Sequence, residues 1–444
     1  MIKNTVFDTI KNKVIKNQFT IAVVGLGYVG LPLSLSFAAK KIKVYGIDKD
    51  RNKIKKLKKK QNYIISVKKN IISKLTNKSF FPTSDFKKIK KSDVIIICVP
   101  TPINQKKKPV MKYIIEVIDS IEKYLHKNQT LILECTTYPG TTENFFLPLI
   151  KKKKLILGKD FFLGYSPERE DPGNKKFSVL KGNLTKVVSG YTQNCSNLIS
   201  IIYKRISKKI YIAESIQVAE FSKLLENIYR SVNIGLINEL TQISKKMKID
   251  IMQVIKAAKT KPFGFQSFYP GPGVGGHCIP VDPFFLSWKA DQLGINLKFI
   301  KLAGIINDQR PLNIFREFDK LINKIKLNDK KNYNIVVYGI SYKKDSDDTR
   351  ESPAIKILSE LKKNNYQIRV CDPYVKDIKN DNTLKKYEFI LKKKEYYNFN
   401  NKKDIAIILA NHSVFDYKKI IENFKLVIDT RNSFIKNHNN LVQI

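Results

Sequence analysis

The chain has 444 residues, 43% of them hydrophobic and 11% aromatic, a globular composition that excludes disorder throughout and predicts two to four domains with cores of their own. Its apolar runs, such as 94–99, fall far short of the roughly 18 residues that span a bilayer, and the opening MIKNTVFDTIKNK lacks a signal peptide's apolar stretch, so a cytosolic protein without membrane insertion is expected. A net charge of +43 raises nucleic acid as a partner, but nine of the 82 basic residues are arginine and the rest are scattered lysines with no aromatic stacking platform, which reads as solvated faces and no specific nucleic-acid partner.

In chain order, a polar extension over 1–18 leads into FTIAVV (19–24), a buried strand that runs into Gly25-Leu26-Gly27-Tyr28-Val29-Gly30 and then the helix-like LPLSLSFAAK. KVYGI (43–47) is a second strand ending at Asp48, and DVIIICV (93–99) a third, stopped by Pro100-Thr101-Pro102. Further strands are expected at 130–134 and 161–165. Strands alternating with helices predict a parallel sheet wound on both faces. From 215 to about 308 the pattern turns helical, interrupted by FGFQSFYPGPGVGGHCIPVDP (263–283), whose glycines and prolines forbid regular helix and let backbone approach a ligand. A second α/β pattern follows, with strands expected at 333–338, 366–371, 404–409 and 425–429. The fold class is therefore α/β, two Rossmann-like doubly wound domains joined by a central helical domain, with boundaries expected at 19–211, 212–325 and 326–444.

Three glycines in this spacing allow a tight turn, a close approach of pyrophosphate, and close helix–strand packing, while the helix N-terminus attracts the phosphates. Asp48 lies 18 residues after Gly30, where an acid holds the ribose hydroxyls. A carboxylate there repels a 2′-phosphate, which favours NAD over NADP; Lys49 and Arg51 weaken that preference. Gly25, Leu26, Gly27, Tyr28, Val29, Gly30, Asp48, Arg51 and Thr101 are the expected cofactor-binding residues. Five scattered cysteines without a C-x-x-C pair argue against a disulfide framework or a zinc site. Cys98 sits in an apolar run and reads as core, whereas Cys278 lies in a glycine loop beside His277 and ahead of Asp282, where a thiol can be reactive. Next to a nicotinamide, such a thiol can trap an aldehyde and permit a second oxidation, turning an alcohol into an acid.

The blocks GLGYVGLPL, CVPTP, SPERE, EFSKLLENIYRSVNIGLINEL, KPFGFQSFYPGPGVGGHCIPVDP and GISYKKDSDDTRESPA together resemble the UDP-glucose/GDP-mannose dehydrogenase family, and SPEREDPGN with the cysteine loop is most similar to its bacterial UDP-N-acetylglucosamine 6-dehydrogenase branch. The resemblance runs from about residue 19 to the C-terminus. It implies an N-terminal NAD-binding domain, a central helix at a homodimer interface, and a C-terminal domain that binds the UDP part of a UDP-sugar.

It further implies that Cys278 is the nucleophile, that Lys223 supports developing oxyanions, and that Asn227 helps to bind and orient substrate. Lys223 and Asn227 are four residues apart on a predicted helix and share a face. Glu168 matches a carboxylate associated with thioester hydrolysis, Asp282 one that orders water, and Thr137 a threonine that contacts water and cofactor. Where some relatives carry a second acid four residues on, this chain has Pro172, with Glu170 and Asp171 beside it. Lys343 matches a contact to UDP, and Arg350 one that reaches across the domain cleft to NAD. Tyr269, Gly271, Gly273 and Gly275 complete the expected substrate contacts. Arg230 could bind an acetamido carbonyl or pair with Glu226 one turn earlier. The stripe Val218, Phe221, Leu225, Ile228 and Val232 on the helix that carries Lys223 and Asn227 is expected to be buried between subunits. UDP-N-acetylglucosamine is the expected substrate, with UDP-N-acetylgalactosamine, UDP-N-acetylmannosamine and UDP-glucose as alternatives.

Overall fold

A computed structural model describes residues 5–64, 67–170, 179–324, 334–375, 378, 381–399, 404–434 and 438–444. By contacts the chain divides into two compact units, 1–226 with 284–295 and 227–283 with 296–444.

The first unit is built on β1 (Thr20–Val24), β2 (Lys43–Ile47), β3 (Phe80–Thr83), β4 (Val94–Ile97), β5 (Gln129–Leu133), β6 (Phe161–Tyr165), β7 (Lys186–Gly190) and β8 (Ile210–Ile212). Its helices are α1 (Val6–Ile15), α2 (Gly30–Ala39), α3 (Arg51–Lys58), α4 (Lys69–Leu75), α5 (Lys112–Ile121), α6 (Thr141–Lys152) and α7 (Gln193–Tyr203). The strand order is β3-β2-β1-β4-β5-β6-β7-β8, parallel except where β6 meets β7. Successive side chains of a strand point to opposite faces: Ile21 and Val23 join the core under α2 and α7, while Ala22 and Val24 join the core under α5 and α6. Helices on both faces make β1 apolar at every buried position, which is why it reads as a continuous run instead of an alternation.

The long central helix α8 (Ile216–Lys246) is followed by α9 (Ile251–Ala258), α10 (Asp282–Gln292) and α11 (Lys298–Lys324). The second sheet comprises β9 (Asn334–Tyr338), β10 (Gln367–Cys371), β11 (Glu388–Phe389), β12 (Ile405–Ile408), β13 (Leu426–Asp429) and β14 (Leu441–Gln443), with α12 (Pro353–Lys363) and α13 (Tyr417–Asn423). Its order, β11-β10-β9-β12-β13-β14, is parallel throughout and repeats the order of the first six strands. Both sheets are therefore doubly wound, with the switch point between β1 and β4 in one and between β9 and β12 in the other. The predicted central strands form within one or two residues of expectation; of the unforeseen ones, β8, β11 and β14 have three residues or fewer, β3 contains Pro82, and β7, five residues long, opens on a lysine.

Register sets the site. Val24 pairs with Ile97, Ile97 with Leu133, and Leu133 with Tyr165, so the segments beginning at Gly25, Cys98, Glu134 and Ser166 leave the sheet along one carboxyl edge. Ligands of doubly wound sheets bind beyond that edge.

Candidate active site

At the end of β1, Gly25 has φ +94° and a Cβ there would lie 2.4 Å from the Cys98 carbonyl oxygen; at Gly30 it would lie 1.8 Å from the Gly25 oxygen. Both glycines are demanded by packing. A Cβ at Gly27 would meet nothing within 4 Å. The protein leaves that space open, and among the described residues no side chain caps the N-terminus of α2, where the Leu31 N–H donates to the Gly27 carbonyl at 3.2 Å and Pro32 carries no N–H. The Asp48 carboxylate is nearly buried and accepts from the Leu26 N–H at 2.9 Å and the Asp50 N–H at 2.9 Å. Lys49 turns away to Glu116 at 2.6 Å, so it does not create a 2′-phosphate site beside Asp48. Arg51 is exposed at the first position of α3, and Tyr28 and Val29 are half-buried. The Thr101 hydroxyl donates to the Thr136 carbonyl at 2.6 Å. These features fit a dinucleotide with its pyrophosphate over Gly27 at the positive end of α2, and its ribose at Asp48.

Thr137 is fully buried, yet its hydroxyl has no partner among the described residues. Buried hydroxyls are normally satisfied, so an orphan at the sheet's carboxyl edge fits a group that a bound molecule completes. The loop after it is fixed by Glu220 of α8, whose carboxylate accepts from the Gly140 N–H (2.6 Å) and from the Thr142 N–H (2.9 Å) and hydroxyl (2.7 Å).

Three residues past β6, Glu168 is buried; its Oε1 accepts the N–H groups of Arg169, at 2.7 Å, and Glu170. Burial alone would raise its carboxyl, but the Lys186 ammonium, the Glu170 N–H and the Lys223 charge hold it below the usual carboxylate range. Lys223 is itself buried on α8. The structure thus places expected residues Glu168 and Lys223 in one electrostatic neighbourhood. Asp171 and Pro172 lie outside the described residues.

In the second unit Cys278 is exposed while Cys98, Cys135, Cys195 and Cys371 are buried. Burial pushes the Cys98 thiol far up, as befits an inert core residue. The Cys278 carbonyl accepts from the N–H groups of Val281 and Asp282, at 3.1 and 2.8 Å, a turn that starts α10. Asp282 is buried and accepts from the Asn227 amide at 2.6 Å. The loop's glycines answer to protein neighbours as well as to any ligand. A Cβ at Gly275 would lie 2.4 Å from the Tyr342 Cβ, one at Gly276 2.7 Å from the Tyr342 ring, and one at Gly273 3.1 Å from both Pro311 and Pro353. Gly276 N–H also donates to the Arg350 carbonyl at 2.9 Å. Gly271 is bracketed by Asn238, which accepts its N–H, and by buried Arg310, which donates to its carbonyl at 3.0 Å. Tyr269 is half exposed.

The β9 turn repeats the first turn. Gly339 has φ +77°, and the Ile340 N–H donates to Asp372 at 2.8 Å as Leu26 does to Asp48. Here the acid is occupied: buried His412 lies 3.3 Å from Asp372 through Nε2 and accepts the Asp345 N–H at Nδ1, at 2.9 Å. That anchors the segment holding Lys343, whose carbonyl accepts from the Ser341 hydroxyl at 2.8 Å. The Arg350 guanidinium forms a bidentate pair with Asp348, at 2.9 and 2.6 Å.

One expected alternative is corrected. Glu226 does not pair with Arg230; it pairs with Arg169 at 2.8 Å, and Arg230 is exposed with no ion pair among the described residues. A guanidinium from a distant loop captured the acid that helical spacing offered to a neighbour. Within the single chain Val218, Phe221 and Leu225 are 46, 43 and 57% exposed, whereas Ile228 is buried. Sequence reasoning missed Lys186, Glu134, Tyr342 and His412. The one local signal was a lysine opening the apolar run VVSG at 187–190.

Residues 19–207 match the NAD binding domain of the UDP-glucose/GDP-mannose dehydrogenase family, 217–309 its central domain and 336–436 its UDP binding domain. Protein CapL of Staphylococcus aureus is 37% identical over 427 residues, covering 93% of this chain and 98% of its own. The UDP-N-acetyl-D-glucosamine 6-dehydrogenase of Pseudomonas aeruginosa is 37% identical over 357 residues, 80% and 83% of the two chains. The UDP-N-acetyl-D-mannosamine dehydrogenase of Methanocaldococcus jannaschii is 32% identical over 427 residues, 93% and 92%. Among solved structures, the UDP-D-ManNAc dehydrogenase from Pyrococcus horikoshii superposes with a TM-score of 0.83 at 27% identity, covering 96% of this chain and 98% of that one.

Proposed function

The chain belongs to the UDP-glucose/GDP-mannose dehydrogenase family and is an NAD-dependent nucleotide-sugar oxidoreductase, and from that standing we propose that it oxidises the C6 alcohol of UDP-N-acetylglucosamine to the carboxylate through a thioester on Cys278, for surface-polysaccharide synthesis. The observation that carries the chemistry is one chain holding both an open, glycine-walled dinucleotide turn and an exposed thiol on a clamped loop. Going from alcohol to acid removes four electrons, and bound NAD serves as hydride acceptor in each oxidation. The Cys278 sulfur adds to the aldehyde carbon, and oxidation of that adduct leaves a thioester that water cleaves. Lys223 supports negative oxygen, Asn227 and Asp282 order substrate and water, and Glu168 takes a proton from the water. Lys343 and the other β9-turn residues serve the UDP part, and Thr137 and Arg350 complete the cofactor contacts.

The N-acetylglucosamine assignment is supported by the higher identity to the relative named for that sugar, 37% against 32% for the one named for the mannosamine epimer. The likeness to the Pyrococcus horikoshii structure favours UDP-N-acetylmannosamine as the second reading. A panel of UDP-glucose, UDP-N-acetylglucosamine, UDP-N-acetylgalactosamine and UDP-N-acetylmannosamine with NAD decides between them by kcat/KM. UDP-N-acetylglucosamine should lead with two NADH per sugar; one NADH per sugar would reject the thioester route, and a lead by another sugar would reject the assignment alone.

The same reading includes a homodimer formed along α8, where Val218, Phe221, Leu225, Leu236, Leu240 and Ile243 recur at helical spacing and are each more than 40% exposed. An apolar stripe of that length on one helix favours a second copy over water. A cytoplasmic location is proposed because NAD and UDP-sugars are made there; no described helix is long and apolar enough to cross a membrane.

A further inference from the structure

A chain of ionisable side chains runs inward from Glu168, and the proposed chemistry leaves most of it without a task. Lys186 opens β7 with 2% of its surface exposed, and Glu134, just after β5, has 1%. The Lys186 ammonium is hydrogen-bonded to Glu134 Oε1 and stands 3.4 Å from Glu168 Oε2. The Tyr203 hydroxyl, at the end of α7, donates to the other Glu134 oxygen. Burying an ammonium costs several kcal/mol unless its charge is matched. Here it is matched twice, from behind by Glu134 and in front by Glu168.

Resting on the reading of Glu168 as the hydrolytic base, we propose that Lys186 is its positioning residue: held from behind by Glu134 and Tyr203, Lys186 fixes one oxygen of Glu168 and keeps that group a carboxylate during thioester cleavage. In that step the water oxygen bonds to the thioester carbon and the C–S bond breaks, its electron pair going to the Cys278 sulfur. One water proton passes to Glu168 and on to solvent, and the other is lost as the product acid ionises. No oxidant is needed.

The groups facing Glu168 are Lys186 from β7, Lys223 from α8, Glu134 after β5, Cys98 after β4, and Arg169 and Glu170 of its own loop. Cys98 is neutral because burial pushes its thiol far up. Burial also pushes the Glu134 carboxyl up to about 7 in spite of Lys186, whereas Glu168 stays below the usual range. When a proton enters the cluster it goes to Glu134, and the Lys186 charge remains with Glu168.

The test uses the full chain with NAD and the UDP-sugar, following NADH and the mass of the Cys278 peptide across pH. Lys186→Met should slow hydrolysis roughly tenfold or more, accumulate a covalent adduct on Cys278, and move the acid limb of the kcat profile up by about one pH unit. Lys186→Arg should restore the acid limb. Should Lys186→Met fail to fold, Lys186→Met with Glu134→Gln, which removes the Glu134 carboxylate together with its ammonium partner, must show the same adduct and the same displaced limb. Slow turnover without adduct, or an unmoved acid limb, overturns the proposal. Glu168→Gln separates the two levels: adduct there but not in the Lys186 variants rejects the role of Lys186 alone, and wild-type hydrolysis there rejects the reading of Glu168 on which it rests.

Discussion

Asn227 donates its side-chain amide to Asp282 Oδ2 at 2.6 Å, with both residues nearly sealed from solvent. Asp282 also opens α10, where the helix N-terminus favours a negative charge. Asn227→Ala removes a hydrogen-bond donor from a buried carboxylate, which costs about 1–3 kcal/mol. The variant should show that loss in urea unfolding and a lowered kcat for acid formation, and a midpoint equal to wild type would contradict the pairing.

The glycines of the first turn should separate folding from cofactor binding. Gly27→Ala adds a methyl group where the protein has no atom within 4 Å, so unfolding should stay within about 0.5 kcal/mol of wild type. NAD should nevertheless bind about tenfold more weakly or worse, because the pyrophosphate needs that space. Gly30→Ala meets the Gly25 carbonyl and should lose at least about 1–3 kcal/mol of stability. Calorimetric titration with NAD alongside thermal unfolding reads both effects, and equal destabilisation by the two substitutions would refute the assignment.

Glu220 carries a pH prediction. Burial lifts its carboxyl to about 7, against the pull of the Thr142 side chain and N–H and the Gly140 N–H. An acid raised in the folded state binds more protons there than when unfolded, so stability falls as pH rises between the unfolded value near 4.5 and the folded value near 7. The decrement is about 3 kcal/mol at most. Glu220→Gln should reduce the dependence of the unfolding free energy across that window, the remainder belonging to Glu134, whose carboxyl is also raised to about 7; an unchanged slope would show that Glu220 does not contribute.

For assembly, Leu236→Glu with Leu240→Glu places charge on the exposed stripe of α8. Light scattering should show a monomer of 51.3 kDa in place of a dimer. The wild-type chain running as a fully active monomer at micromolar concentration would dispose of the interface.

What was legible in the sequence was what depends on neighbours along the chain. FTIAVV is apolar from Ile21 to Val24 because helices cover both its faces, and Cys278 announced itself by the glycines before it. What stayed hidden was set by partners far off in sequence. Lys186 is one lysine among dozens until β7 turns antiparallel beside β6 and lowers it between Glu134 and Glu168. Arg230 and Glu226 have ideal helical spacing, yet Arg169 takes the acid. Tyr342 lay within the charged run ISYKKDSDD, where nothing marked it as packed against another loop.

The Tyr342 ring fills the volume that a side chain at 276 would require, and the Tyr342 Cβ, the Glu351 carbonyl and Pro353 fill the volume that one at 275 would require. Positions 275, 276 and 342 are therefore sterically coupled, although they lie in segments remote from each other along the chain. A side chain at 276 would meet both that ring and a backbone held at φ +81°, so a smaller residue at 342 would relieve only part of its cost. A change in the cysteine loop is thus felt first in the segment after β9 that carries Tyr342.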